Sequence, residues 1–169
     1  MRSLLAHRIF PLSTIPYHFN PLSATTVSGF LGRYDFQMDE KGRVSLPAAF
    51  RREAEGERFI LLQWEKPYLT LFPERVWEEV QERLLEFRRG DPDSWNHVRE
   101  ITSNAVEVSP DKQGRILIPA WLQEAAKLKG AVLLNGNIDR VEIWDPDAYR
   151  EAVQEKAEGF QRFAHQIFG

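Results

Sequence analysis

A chain of 169 residues can bury one core or two small ones, and with no cysteine it can hold neither a disulfide nor a thiolate metal site. Its four histidines, His7, His18, His97 and His165, sit at no ligand spacing, so neither a metal nor another cofactor is expected. A net charge of −3 counts against a uniformly basic nucleic-acid binder, and no apolar run approaches the ~20 residues that cross a bilayer.

Met1–Ser28 contains no Asp or Glu, two Arg and three Pro, and follows neither period 2 nor period 3.6. His7 and Arg8 interrupt its only short apolar stretch, which fits a secretory signal poorly. An organellar transit peptide or a start assigned too far upstream are open readings. A disordered or spurious extension over residues 1–28 is the expectation.

From Tyr34 the alternation Tyr-Asp-Phe-Gln-Met predicts a strand with one buried face. Asp39–Gly42 reads as a tight turn, with Gly42 free to take φ > 0 and Asp39 able to accept backbone hydrogen bonds. Arg43–Leu46 resumes the alternation as a second strand. Pro47 suits a helix start, and a short helix is predicted over Ala48–Ala54. Phe59–Gln63 and Tyr68–Phe72 read as two more strands, joined by a turn at Glu65-Lys66-Pro67. After Pro73, Val76, Trp77, Val80, Leu84 and Phe87 fall at helical spacings. Gly90-Asp91-Pro92 breaks that helix before another at Trp95–Ser103.

The same plan then returns. Val106–Val108, a turn at Asp111–Gly114, a strand at Arg115–Ile118 and a helix from Pro119 to about Lys127 repeat the first unit. Ala131–Asn135 and Val141–Trp144 close it, joined by a turn containing Gly136-Asn137. The two copies lie 72 residues apart, Asp39 to Asp111, and align without a gap as far as Leu69–Phe72 against Val141–Trp144. The stripe Tyr149, Ala152, Val153, Ala157, Phe160, Phe163, Ala164 and Ile167 predicts a C-terminal helix. That helix packs either on its own barrel or on a neighbouring subunit.

One unit of four short strands is a poor free-standing domain. Two units that pair their open edges about a pseudo-two-fold axis give one closed β-rich barrel with helices outside. The expected fold is therefore α+β, mainly β. Residues 29–75 form repeat one, 76–104 a helical connector, 105–148 repeat two and 149–169 the C-terminal helix.

The shared motif is Asp-x-x-Gly-Arg-apolar-x-apolar-Pro-Ala. Asp39, Gly42, Asp111 and Gly114 build the turns. Arg43 and Arg115 open the returning strands, where a guanidinium can present a planar fork of donors to phosphate or a guanine edge. A single copy is commonly just a turn in which Arg pairs with Asp; two matched copies are far more specific. Charge is divided as well. Residues 29–52 and 105–130 are mildly basic, and residues 74–100 and 145–169 are acidic.

These two units resemble the duplicated SpoVT-AbrB domain of the bacterial MraZ family, over about Gly29 to Trp144. Phe30-Leu31-Gly32 is similar to the family's usual start. The resemblance implies a swapped-hairpin, AbrB-like barrel and ring-shaped homo-oligomers. It also implies a DNA-binding transcriptional regulator of the division and cell-wall gene cluster, cytoplasmic and nucleoid-associated. By the motif, the family's DNA-contacting arginine falls on Arg43, with Lys41 beside it and Arg115 as its counterpart. Arg33 is a further DNA-binding candidate. Repeat one carries Lys41, Arg43, Arg51 and Arg52 where repeat two has Gln113, Arg115, Gln123 and Glu124, so DNA is expected at repeat one. The expected partners are double-stranded DNA and further copies of the chain, with no membrane and no small-molecule substrate.

The main alternative is an oligomeric interaction scaffold whose turns hold acidic partners. Catalysis is not expected. There is no Gly-rich phosphate loop, nucleophile elbow or His-carboxylate cluster, and Glu78, Glu79, Glu82 and Glu86 read as a solvated helix face.

Overall fold

The computed structural model describes residues 29–56, 58–90, 94–155 and 157–169, so the expectation for Met1–Ser28 lies outside it. In repeat one, β1 (Arg33–Gln37), β2 (Arg43–Ser45), α1 (Ala48–Glu53), β3 (Phe59–Leu62) and β4 (Leu69–Pro73) follow the predicted order. Two helices, α2 (Glu74–Gly90) and α3 (Trp95–Ser103), lead to repeat two. There β5 (Val106–Val108), β6 (Arg115–Leu117), α4 (Ala120–Ala125), β7 (Ala131–Asn137) and β8 (Arg140–Trp144) repeat the plan. The C-terminal helix is two helices, α5 (Pro146–Glu155) and α6 (Ala157–Phe168), and it begins three residues earlier than predicted.

The strands form a six-stranded antiparallel sheet in the order β1-β7-β8-β4-β3-β5, and β2 pairs only with β6. Exchanging the repeats reverses this order and leaves it otherwise unchanged. Register obeys the same exchange. Val44 lies opposite Ile116 and Thr70 opposite Glu142, each residue facing its own counterpart. Both central ladders therefore join one repeat to the other.

The closed barrel is not seen. Among the described residues no ladder joins the outer strands β1 and β5, and the three-residue strands β2 and β6 form a separate ribbon. The hydrophobic core lies between this ribbon, the short helices and the sheet. It contains Phe30, Val44, Phe50, Leu61, Leu71, Ile116, Leu122, Leu134 and Ile143, all at most 1% exposed. Phe50 of α1 meets Phe30 and Tyr34 edge-on, at centroid distances of 5.5 and 5.1 Å. A second cluster of Leu62, Phe72 and Trp77 is covered by Val80 of α2 and Ile101 of α3.

Two further expectations change. The turn between β7 and β8 is at Ile138-Asp139, not Gly136-Asn137. Gly136 is a strand glycine because the backbone at Phe30 crosses it. A Cβ there would lie 2.5 Å from the Phe30 carbonyl carbon. The alignment of the copies also slips by one residue. Phe36 faces Val132 across β1–β7, while its counterpart Val108 faces Phe59 across β5–β3. Phe59 thus corresponds to Val132, not Ala131. The extra residue falls before β7, and the shorter β7–β8 turn restores the offset by β8. Among the described residues no helix is long and apolar enough to cross a membrane.

Candidate nucleic-acid interface

Each turn is built by its aspartate. Asp39 Oδ1 accepts the backbone N–H of Lys41 and of Arg43, both at 3.0 Å. Asp111 Oδ1 accepts those of Gln113 and Arg115 at 2.8 and 3.0 Å. The turns are then locked together. Leu46 N–H donates to the Gly114 carbonyl and Ile118 N–H to the Gly42 carbonyl, both at 2.9 Å. The antiparallel β2–β6 ribbon therefore sets the two turns at its opposite ends and puts Arg43 and Arg115 on the same outer face.

Arg43 and Arg115 each grip their own aspartate. Arg43 Nε donates to Asp39 Oδ2 at 2.8 Å, with Nη2 at 2.7 Å. Arg115 holds Asp111 Oδ2 in the same way, at 2.9 and 2.7 Å. Arg115 Nη1 also lies 3.8 Å from Asp39 Oδ2. One carboxylate thus stands between both guanidinium groups. The grip fixes each guanidinium plane at the turn and leaves N–H donors over for a ligand. It also holds both carboxyl groups down at about 2, with the arginine hydrogen bond as the first cause.

The sign of the pH effect follows. A carboxylate whose pKa falls on folding stabilises the fold above its unfolded value, and that contribution is lost as pH drops. The window runs from about pH 4, near the ordinary value of 3.8, down to about 2. Asp39→Asn removes one such group and flattens the fall of stability across that window. Urea midpoints between pH 2 and 7 check this; a slope equal to wild type contradicts it.

The helices cross over. Arg51, on α1 of repeat one, lies against Gly114 of the repeat-two turn, where a Cβ would sit 2.5 Å from its Nη1. Its counterpart Gln123, on α4, covers Gly42 and donates to the Ile118 carbonyl at 2.6 Å. Both turn glycines have left-handed backbone, φ +80 and +76. Gly114→Ala should cost about 1–2 kcal/mol for that backbone alone, since the Arg51 side chain can swing aside. Gly42→Ala should cost more, because its Cβ would also lie 2.9 Å from the backbone oxygen of Ile118. Urea midpoints of the two variants decide it, and equal losses would contradict the crossing geometry.

Of the predicted residues, Lys41 is exposed at the turn tip, two residues before Arg43. Arg33 is not with them. It starts β1, roughly 20 Å along the chain from Asp39 at ~3.3 Å per residue, and stands over the Tyr149 ring at 5.9 Å. Sequence reasoning assigned Arg51 to repeat one and missed its reach to the other turn. The only trace was that positions 51 and 123 match in the two copies yet differ in charge.

The geometry defines a class: a duplicated α+β protein whose two Asp-x-x-Gly-Arg turns are paired across a ribbon and present their arginines together. The comparisons place it more closely. The model of the family described as "MraZ protein, putative antitoxin-like" matches twice, over residues 30–96 and 101–168. A protein of Pelotomaculum thermopropionicum named Transcriptional regulator MraZ is 39% identical over 140 residues, covering 82% of this chain and 94% of that protein. Proteins of the same name from Leuconostoc citreum and Oenococcus oeni are 36% and 34% identical, covering 80% and 82% of this chain and 94% and 96% of theirs. The chain belongs to the MraZ family.

Proposed function

We propose that this chain is a sequence-specific DNA-binding transcriptional regulator that reads repeated DNA boxes as a ring-like homo-oligomer. The observation that carries this is the joining of the Arg43 and Arg115 turns across the β2–β6 ribbon. Its relatives' name, Transcriptional regulator MraZ, supports the same reading. Lys41, Arg43, Arg51 and Arg115 form one face of donors. Arg43 and Arg115 contact phosphates or a guanine edge, and Lys41 and Arg51 add charge. Its sites lie in the division and cell-wall gene cluster, and it works in the cytoplasm on the nucleoid. Its role is binding, not catalysis.

One such face neutralises few phosphates and binds weakly alone. Affinity falls with salt at about −0.9 in log–log slope per phosphate neutralised. A ring repeats the face and gains by avidity on repeated boxes. The net charge of −3 is then no obstacle, because residues 74–100 and 145–169 carry the acidic excess. The test is binding to a duplex from its own upstream region against a shuffled duplex of equal length, across a salt series. Tighter, salt-sensitive binding to the natural duplex is expected. Equal binding to both would instead favour a scaffold for acidic partners.

A further inference from the structure

The outer face of the β2–β6 ribbon carries Arg43 and Ser45 from β2 and Arg115 and Leu117 from β6, while Val44 and Ile116 between them are fully buried in the core. The register sets Arg43 opposite Leu117 and Ser45 opposite Arg115. Facing residues on paired strands have Cβ atoms ~5 Å apart, and successive residues on one face of a strand lie ~7 Å apart. Leu117 therefore has Arg43 across from it and Arg115 two residues back on its own strand.

Leu117 is 51% exposed. Its counterpart in repeat one is Ser45, so the exchange that reproduces the backbone does not reproduce this face. The turns differ in the same sense, with Lys41 standing where repeat two has Gln113. One end of the ribbon thus carries Lys41, Arg43 and Leu117, and the other Gln113, Arg115 and Ser45. Both guanidinium groups lean to the Leu117 end, where Arg43 lies 2.7 Å and Arg115 3.8 Å from Asp39 Oδ2. A lone exposed leucine is ordinary on a protein surface. Beside two oriented guanidinium groups its chemistry separates two kinds of contact. Against a phosphate it would displace water and return no hydrogen bond. Against the major-groove edge of a base pair it meets the C5-methyl group of thymine, and a two-stranded ribbon fits that groove. The ~5 Å between Leu117 and Arg43 spans between one and two base-pair steps of ~3.4 Å.

We propose that Leu117 is a specificity-determining residue, packing on the methyl group of a thymine next to the base pair that Arg43 contacts. This rests on the DNA-binding function proposed above and deepens it. The arginines supply hydrogen bonds, and Leu117 supplies what no donor can, a preference for a base that carries a methyl group. Ser45, short and polar, makes no such contact, so the preference belongs to one end of the ribbon.

The probe is the duplex from the protein's own upstream region, with thymine replaced by deoxyuridine at one position of the repeated unit at a time. Each replacement removes a methyl group and keeps the base pair. In anisotropy titrations, wild type should lose about fourfold in affinity per box at one such position, the worth of one buried methyl group. Leu117→Ala should bind the thymine and deoxyuridine duplexes equally there, while its arginines still prefer the natural duplex to a shuffled one. Leu117→Ser, which installs the residue of repeat one, should behave alike and takes its place if circular dichroism shows the alanine variant disturbed. The coupling between the two changes isolates the contact from any effect of deoxyuridine on DNA shape. Specific wild-type binding that ignores every methyl group, or a Leu117 variant that keeps the wild-type methyl sensitivity, overturns the role of Leu117 and leaves the regulatory reading standing. Equal wild-type binding to the natural and shuffled duplexes overturns that reading, and the role of Leu117 with it.

Discussion

Arg43→Ala is expected to abolish specific DNA binding and to leave the proposed oligomer intact. The side chain opens β2 and is aimed by Asp39, so under the proposed function it would meet DNA already oriented. A bidentate contact to a guanine edge is worth about 1–3 kcal/mol of discrimination. In an oligomer that loss recurs in every copy touching DNA, and avidity multiplies it. The cost to the fold is confined to the exposed Asp39 pairing, because the side chain lies at the surface of the turn with about a third of its area exposed. Gel-shift titration and light scattering on the same preparation read both effects, and unchanged binding would sink the role given to Arg43. Arg115→Ala should also weaken binding, because its turn shares the face. An effect confined to Arg43 would mean that repeat one alone meets DNA.

Phe50→Ala has the largest expected effect on stability, about 3–5 kcal/mol. Phe50 is 1% exposed and packs edge-on against two rings of the β1 segment. Truncation leaves a cavity that the neighbouring sheet cannot close. The loss should appear as a lower urea midpoint with an unchanged slope. A loss under about 1 kcal/mol would show that the core repacks around the gap. The substitution should also weaken DNA binding in the surviving folded protein, because α1 carries Arg51 to the second turn.

The local elements were legible because they depend on neighbours in the chain. The alternation at Tyr34–Met38, the Asp-x-x-Gly turns and the helix at Trp95–Ser103 all appear as predicted. The duplication was legible for the same reason. Errors arose where distant backbone decides. Gly136 looks like a turn residue, yet its missing side chain admits the Phe30 backbone. The one-residue slip before β7 was hidden because Ala131–Leu134 is as apolar as Phe59–Leu62, and only the ladder to β1 fixes its phase. Closure of a barrel could not be read from strand count, since it depends on whether β1 and β5 meet. At the site, the arginines were legible from the motif. Their convergence on Asp39 and the crossing of Arg51 were not, because both depend on pairing across the repeats.

The function proposed for the paired turns is recognition of a repeated DNA sequence. Its most direct test is to let the purified protein select fragments from a total digest of its own genome, at moderate salt, and to sequence what it retains. Strong enrichment is expected of a few fragments that share a short, regularly repeated sequence, among them the region upstream of the division and cell-wall genes. A retained pool indistinguishable from the input digest would contradict it.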